Sequence, residues 1–183
     1  MYLGSSDGGY SALAASVGAA IARRGVGIVY GGGRRGMMGD LADAALGGGG
    51  RVAGVIPQSM VDREVAHDGL TELVVVDSMH ERKLAMSDRA DAFLTLPGGT
   101  GTLEEFVESL SWTQLGIQSK PSGLLNPDGF FDGLVAWFRR AGEAGFLPAD
   151  FDDLLLVDDD VERLLDRLAD WTPPSPARWL TRR

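Results

Sequence analysis

Short apolar segments alternate with helix-like stretches along the whole chain, and this alternation predicts an α/β fold. The apolar segments are hydrophobic on both faces, as expected of parallel strands that helices cover on both sides. Crossovers between such strands are right-handed. The predicted architecture is therefore a single domain with a Rossmann-like, doubly wound parallel sheet that carries helices on both faces.

The predicted strands are rich in β-branched and other apolar residues, and they span 27–30, 51–56, 73–76, 92–96, 123–125 and 154–157. The predicted helices span 9–24, 37–46, 79–90, 102–115, 130–144 and 159–170. A short first strand is expected at Tyr2-Leu3, and residues 57–70 form one long connection. We predict one domain over residues 1–172 and a tail over residues 173–183 that begins with prolines.

Composition excludes several classes of function. The 183 residues include no cysteine, which excludes disulfides, thiol catalysis, iron–sulfur clusters and thiolate zinc sites. The two histidines, His67 and His80, do not favour an imidazole metal site, and we expect neither metal nor cofactor. A net charge of −9 argues against binding to a nucleic acid polymer. No apolar run approaches the ~20 residues that span a bilayer, so we expect a cytoplasmic protein that binds no membrane.

Two glycine-rich loops follow predicted strands. In the first, Gly31, Gly33 and Gly36 match the dinucleotide-binding pattern G-x-G-x-x-G. The next strand ends Val55-Ile56-Pro57 without the acidic residue that would hold a ribose, so the sequence does not favour a dinucleotide site. The glycines either approach a ligand or allow close packing of the strand on the helix.

The second loop, Pro97-Gly98-Gly99-Thr100-Gly101-Thr102, opens a predicted helix and is the stronger signal. Its backbone N–H groups, its threonine hydroxyls and the positive end of the helix favour phosphate binding. The alternative is a tight turn in which Thr102 caps the helix. It is not a Walker loop, because no lysine follows the last glycine.

Three charged residues near predicted helix starts, Arg82, Lys83 and Glu105, are candidate functional residues. Ser78-Met79-His80-Glu81 is a capping box, which puts Arg82 and Lys83 in or beside the first turn of a helix, where the helix dipole disfavours positive charge. These side chains either bind an anion, or they extend to solvent or pair with Glu81 and Asp88. Glu105 lies away from the apolar stripe of its helix. By itself, a glutamate in the first turn needs no function, because the helix dipole favours it. Beside an arginine and a phosphate loop, Glu105 is a candidate catalytic carboxylate.

The segments Met79-His80-Glu81-Arg82-Lys83 and Pro97-Gly98-Gly99-Thr100-Gly101-Thr102-Leu103-Glu104-Glu105 resemble those of the LOG ("lonely guy") family. These phosphoribohydrolases often carry an older label as lysine decarboxylases. Further matches are Gly4-Ser5-Ser6, Tyr30-Gly31-Gly32-Gly33, Gly36-Met37-Met38-Gly39, Trp112-Thr113-Gln114-Leu115-Gly116, Lys120-Pro121 and Gly123-Leu124-Leu125-Asn126. The resemblance spans roughly residues 2–170, and Arg34-Arg35 replace the smaller pair expected of the family.

The resemblance implies a homodimer that hydrolyses the N-glycosidic bond of a nucleoside 5′-monophosphate, either a cytokinin riboside monophosphate or AMP. The products would be the free base and ribose 5-phosphate. By position, Arg82 and Glu105 would be catalytic. Substrate or phosphate binding would fall to Gly32, Gly33, Glu64, Lys83, Gly98, Gly99, Thr100, Gly101, Thr102 and Ser111.

Two other functions compete with hydrolysis. A pyridoxal-phosphate decarboxylase would need a Schiff-base lysine, and the chain has only Lys83 and Lys120. A non-catalytic nucleotide or cofactor carrier of Rossmann-like fold is the more serious alternative, because fold alone does not distinguish a carrier from an enzyme. A carrier needs the glycine loop but has no use for Arg82 and Glu105.

Overall fold

A computed structural model describes residues 1–6, 8–64, 66–148 and 150–174 of the chain, apart from the side chains of residues 62–64. Two compact units are found within this part. The first contains Met1–Ala90 with Gly98–Leu103, and the second contains Asp91–Pro97 with the described residues from Glu104 onward. Each unit is an alternation of strands and helices.

The first unit has a three-stranded parallel sheet in the order β1-β2-β3. In this sheet Ile28 pairs with Val52, and Val55 pairs with Val74. Tyr2 makes only an isolated bridge. The elements in chain order are α1 (Ser11–Arg23), β1 (Ile28–Tyr30), α2 (Met37–Gly47), β2 (Val52–Pro57), α3 (Gln58–Glu64), β3 (Glu72–Val76) and α4 (Met79–Asp88).

The core of the first unit lies between its strands and the pair of helices α1 and α2. Gly18 of α1 lies against the Leu41 carbonyl of α2, where a side chain would collide with the backbone. This close approach buries apolar side chains from both helices and from the strands, including Val17, Tyr30, Met37, Leu41, Val52 and Ile56.

The second unit has a parallel sheet in the order β4-β5-β6. Its elements are β4 (Phe93–Thr95), α5 (Thr100–Gln114), β5 (Ser122–Leu125), α6 (Asp132–Glu143), β6 (Leu155–Asp158) and α7 (Val161–Asp170), with short 3₁₀ turns at Pro127–Gly129 and Phe151–Asp153. Helix α5 begins with residues of the first unit and continues in the second. An aromatic cluster of Phe106, Phe138 and Phe151 fills the core, with ring centroids 5.2–6.3 Å apart.

The predicted α/β class is confirmed, and the predicted strands and helices coincide with the observed ones to within about two residues at each end. Two expectations were wrong. The connection 57–70 contains the short helix α3, and Tyr2-Leu3 is a single bridge residue rather than a strand. The domain boundary at residue 172 stays a prediction, and the tail from residue 175 lies outside the described residues.

Candidate active site

The loop Gly98–Thr102 leads into α5, and its backbone is open at the start of that helix. The first hydrogen bond of this helix end runs from the Leu103 N–H to the Gly99 carbonyl (3.1 Å). In the part of the chain that the structure describes, the N–H groups of Thr100 and Gly101 donate to no protein acceptor. Gly99, Thr100 and Gly101 are all exposed. Free N–H groups at the positive end of a helix form an arrangement suited to an anion.

The glycines of this loop have different roles. A Cβ at Gly98 would collide with the Thr102 hydroxyl and would lie 2.9 Å from the Gly4 nitrogen, so Gly98 is required for packing. At Gly99 and Gly101 a Cβ would meet nothing within 4 Å. Internal packing therefore does not explain these two glycines, whereas the close approach of a ligand to their backbone would.

A further loop, Gly4-Ser5-Ser6, contacts both of the glycine-rich loops. Gly4 adjoins Gly98, while a Cβ at Gly36 would lie 2.5 Å from the Ser5 carbonyl oxygen. Gly36 also has φ of 56°, a left-handed conformation that favours glycine. All of these residues belong to the first unit, in which the loops after Leu3, Tyr30 and Leu96 are therefore neighbours.

Arg82 is the buried cation of this region. It lies in the first turn of α4, where Ser78 caps the helix by accepting from the Glu81 N–H (3.2 Å), as the capping box predicts. Only 4% of Arg82 is exposed. Its Nη2 donates to the Gly31 carbonyl at 3.3 Å. A Cβ at Gly31 would collide with this guanidinium, so the missing side chain makes room for it.

The burial of Arg82 contradicts the interpretation in which its side chain reaches solvent. The guanidinium does not reach solvent, and its Nη1 instead contacts the thioether sulfurs of Met60 (3.9 Å) and Met79 (3.7 Å). A buried charge at the positive end of a helix is unfavourable by about 0.3–1 kcal/mol from the dipole alone, before desolvation is counted. Such a placement is expected where a group binds or stabilises negative charge. Lys83 is half-buried.

The loop after β1 makes several contacts with other parts of the first unit. Gly31 accommodates Arg82, and Gly36 accommodates the Ser5-Ser6 backbone. Tyr30 steadies the loop, because its hydroxyl donates to the Gly33 carbonyl at 2.9 Å. Gly33 also forms an antiparallel bridge with Ala66. Neither of the two interpretations drawn from the sequence named these partners.

The remaining candidates lie on other elements. Glu105 is half-buried on α5, about one turn after Thr102, and Ser111 is half-buried further along the same helix. Glu64 ends α3, and its side chain lies outside the described part of the structure. Within the described ranges, no group of three or more His, Asp or Glu side chains could hold a metal ion. Every helix of those ranges is too short or too polar to span a bilayer.

Sequence reasoning missed two contributors to this region, Met60 and His67. Met60 contacts Arg82, and His67 holds the loop after α3 through its ring and its backbone. Met60 had no signal in the sequence, since thioethers are usual in a core. The histidine had a weak one, because it is one of only two in the chain. The contact between Met79 and Arg82 is expected, because their spacing places both side chains on one face of α4.

The fold and the loops define a parallel α/β protein with an open helix N-terminus and a buried arginine at its glycine-rich strand ends, a type of site that suits phosphate-bearing ligands. Residues 38–168 match the family model described as "Possible lysine decarboxylase". The chain belongs to the LOG family of cytokinin riboside 5′-monophosphate phosphoribohydrolases, which confirms the resemblance drawn from its motifs.

Several curated relatives align over most of their length. The chain is 44% identical over 176 residues to the probable cytokinin riboside 5′-monophosphate phosphoribohydrolase LOGL9 of Oryza sativa subsp. japonica, covering 94% of this chain and 78% of that one. It is 47% identical over 154 residues to the cytokinin riboside 5′-monophosphate phosphoribohydrolase of Rhodococcoides fascians, covering 84% and 78%. Identity to the Arabidopsis thaliana enzyme LOG2 is 39% over 176 residues, covering 94% and 83%.

Solved structures with the same fold include molybdenum cofactor proteins. The cofactor-binding protein of Rippkaea orientalis has a TM-score of 0.67 at 20% identity, covering 90% of this chain and 88% of that one. The carrier protein of Chlamydomonas reinhardtii has a TM-score of 0.64 at 21% identity, covering 93% and 94%. At this level of identity, the likeness extends to the fold alone.

Proposed function

We propose that this protein hydrolyses the N-glycosidic bond of a nucleoside 5′-monophosphate and releases the free base and ribose 5-phosphate. The observation that carries the proposal is the pairing of an open helix N-terminus at Gly99–Gly101 with a buried arginine in the same unit. The helix N-terminus suits a phosphate, and the buried arginine supplies a positive charge that can bind a substrate oxygen during the reaction. The names of the relatives support the same reaction.

The proposed reaction needs three groups on the enzyme. As the bond between C1′ and the base nitrogen breaks, its electron pair leaves with the base, and positive charge develops on the ribose. The Glu105 carboxylate stabilises that charge or removes a proton from the attacking water, whose oxygen bonds to C1′. Arg82 binds a substrate oxygen, and the departing base takes up a proton. The phosphate remains bound at Gly98–Thr102 throughout.

Further substrate contacts are proposed for the positions that match the family. Gly32 and Gly33 provide backbone near the ribose phosphate, and Lys83 adds positive charge next to Arg82. Glu64 and Ser111 contact the base or the ribose. Alanine substitution of Ser111, which lies on α5 with its side chain half-buried, tests whether its hydroxyl contributes to KM.

A panel of monophosphates and their nucleosides tests the reaction. Release of free base is followed by chromatography for AMP, for prenylated adenosine monophosphates and for the other common nucleotides. We expect cleavage of monophosphates and little or none of the matching nucleosides, because the proposed phosphate loop holds the substrate. Comparable kcat/KM for AMP and adenosine would contradict the phosphate requirement.

A carrier function is the second candidate, since proteins of this fold include the named molybdenum cofactor carriers. It differs from the proposed reaction in one measurable respect. A carrier binds a nucleotide-containing ligand without releasing a base, and substitution of Glu105 leaves its affinity unchanged. Tight binding of every monophosphate with no base released over hours would favour the carrier.

The proposal includes a homodimer. Its support is the strand β3, which is an edge of the sheet in the first unit and exposes Leu73 (39%) and Val75 (47%). Helix α4 follows directly and exposes Leu84 (53%). Apolar edge strands are normally covered, and a second copy of the chain would cover this one.

Light scattering at micromolar concentration tests the dimer. We expect twice the mass of the 19.4 kDa chain for the wild type and a shift toward the single chain for Val75→Glu. Val26→Glu is the matched control, because Val26 is similarly exposed (52%) but lies just before β1, the strand at the other edge of this sheet. A single-chain mass for the wild type would contradict the dimer. We also propose a cytoplasmic location, where the nucleotide pool lies, and cell fractionation tests it.

A further inference from the structure

His67 is a buried histidine with two ring partners and no part in the proposed chemistry. Only 5% of it is exposed. Its Nδ1 accepts a hydrogen bond from the Gly69 N–H (3.1 Å), so the ring hydrogen lies on Nε2 and is donated to Asp43 Oδ1 (3.1 Å). Asp43 belongs to α2. The ring therefore ties the segment that follows α3 to the helix that follows the first glycine loop.

The backbone of the same segment is tied to the glycine loop itself. The His67 N–H donates to the Gly32 carbonyl (3.0 Å), and Ala66 forms an antiparallel bridge with Gly33. Glycine loops have high conformational freedom, and bonds from a fixed segment restrict it. The His67 segment therefore restricts the backbone of Gly32 and Gly33, which directly follows the Gly31 carbonyl.

Arg82 contacts the glycine loop to which His67 is bonded, and it also contacts the helix that precedes the His67 segment. Its Nη2 donates to the Gly31 carbonyl (3.3 Å), next to the Gly32 carbonyl that accepts from His67. Its Nη1 contacts Met60 in α3, the helix at the other end of the segment (3.9 Å). A displacement of the His67 segment would therefore affect two contacts of the guanidinium, the one with the Gly31 carbonyl and the one with Met60.

We infer that His67 is a positioning residue, which clamps the first glycine loop to α2 and thereby fixes the orientation of the Arg82 guanidinium. A catalytic group displaced by about 1 Å can cost ~100-fold in rate, so a clamp two contacts away has a measurable effect. The kinetic consequence rests on the proposed function. The clamp itself does not, and it has a separate readout.

Four variants separate the contributions of the clamp. His67→Leu removes both ring hydrogen bonds and keeps an apolar volume. His67→Asn keeps an acceptor for the Gly69 N–H but is too short to reach Asp43. Asp43→Ala removes only the outer partner, whose side chain is 73% exposed. The matched control is Asp68→Asn, in the same loop, which weakens a surface ion pair with Arg34 (3.4 Å).

The kinetic measurement is kcat and KM on the best monophosphate. We expect kcat to fall about 10-fold in His67→Leu and about 3-fold in His67→Asn and Asp43→Ala, with the control unchanged. KM stays within about 2-fold, because the Gly98–Thr102 loop keeps its own contacts. In an Arg82→Lys background, His67→Leu should cause no further loss, since it acts through the guanidinium. Losses that multiply across the two sites, or a change in KM alone, would overturn the inference.

Amide hydrogen exchange tests the clamp without substrate. We expect faster exchange for residues 30–36 and 66–69 in His67→Leu, an intermediate rate in His67→Asn, and the wild-type rate in Asp68→Asn. Unchanged exchange in His67→Leu overturns the clamp whatever the enzyme does. Should the wild type cleave no monophosphate, the proposed function fails while this measurement still decides the clamp. If His67→Leu does not fold, His67→Asn and Asp43→Ala decide it.

Discussion

The start of helix α7 in the second unit has a side-chain cap, whereas α2 and α5, which follow the glycine-rich loops, start without one among the described residues. Asp160 caps α7 by accepting from the Arg163 N–H (2.9 Å). Before α6, the Asn126 side chain accepts from the Phe131 N–H (2.6 Å), although α6 itself has no side-chain cap. The Asp160 cap satisfies one of the backbone N–H groups that the start of a helix leaves without a partner.

The open starts of the first unit follow its glycine-rich loops. Helix α2 begins after Gly36, which has no side chain to cap it, and α5 begins with Thr100 and Gly101, whose N–H groups donate to no acceptor among the described residues. The same chain that caps α4 with Ser78 leaves these two uncapped. The proposed function leads us to expect that the uncapped start of α5 binds a ligand, whereas the Asp160 cap of α7 contributes to stability.

The largest expected effect tests the catalytic role of the glycine-loop region. Glu105→Gln keeps the shape of the side chain and removes its charge, and Arg82→Lys keeps the charge and removes the planar fork. Each should lower kcat/KM by about 100-fold or more on the best monophosphate, while melting temperature changes little. If the two residues act as a unit, the double variant should be little worse than either single one. Near-normal turnover in Glu105→Gln would remove the carboxylate from the mechanism.

Alanine substitutions at two neighbouring glycines test ligand binding and internal packing separately. Gly99→Ala adds a methyl group where nothing lies within 4 Å, so it should leave the melting temperature unchanged and raise KM about 10-fold by obstructing the phosphate. Gly98→Ala adds one against the Thr102 hydroxyl and should cost about 1–3 kcal/mol of unfolding free energy. Equal effects of the two variants on KM and stability would remove the distinction between these glycines.

Removal of a cap in the second unit should affect stability alone. Asp160→Ala deletes the acceptor for the Arg163 N–H and should lower the free energy of unfolding by about 1 kcal/mol. Urea melts measure this change. Since α7 carries no residue of the proposed site, kcat/KM should stay at the wild-type value. A loss of turnover in a fully folded Asp160→Ala protein would contradict the contrast between the two units.

The smallest expected effect concerns Asp158 at the end of β6. Burial alone would raise the pKa of this carboxyl, but hydrogen bonds from the Asp160 N–H (3.0 Å) and from Arg163 (2.7 Å) and Arg167 (3.3 Å) outweigh burial and hold its pKa below the ordinary value. A lowered folded-state pKa contributes stability that is present above the ordinary value, about pH 4, and is lost as the pH falls through the folded-state pKa.

Asp158→Asn isolates that contribution from the other carboxylates. The variant should be less stable than the wild type near neutral pH, and the difference should shrink as the pH falls below about 4. Urea melts of both proteins between pH 3 and 7 measure it. A difference that stays constant over this range would show that the charge of Asp158 does not stabilise β6 and α7.

Local chemistry accounts for the parts of the fold that the sequence predicted well. The capping box sets the start of α4 at Met79. The apolar stripe of Leu103, Phe106, Val107 and Leu110 predicts α5. Phe106 and Leu110 are buried as expected, whereas the expected burial of Val107 was wrong, because this residue is 40% exposed. Helix α3 was missed because seven residues between a strand and a loop carry too little periodicity to predict a helix.

The sequence by itself determined the alternation of strands and helices, the loops at which glycine is concentrated, and the family, because each depends on residues close together in the chain. Only the tertiary structure decided that Arg82 is buried, since the space for its guanidinium comes from Gly31, 51 residues earlier in the chain. It also decided which glycines are needed for packing and which face open space. The space around a residue and the burial of its charge depend on residues that are distant in sequence and pack against it in the fold. A local sequence pattern therefore does not predict them.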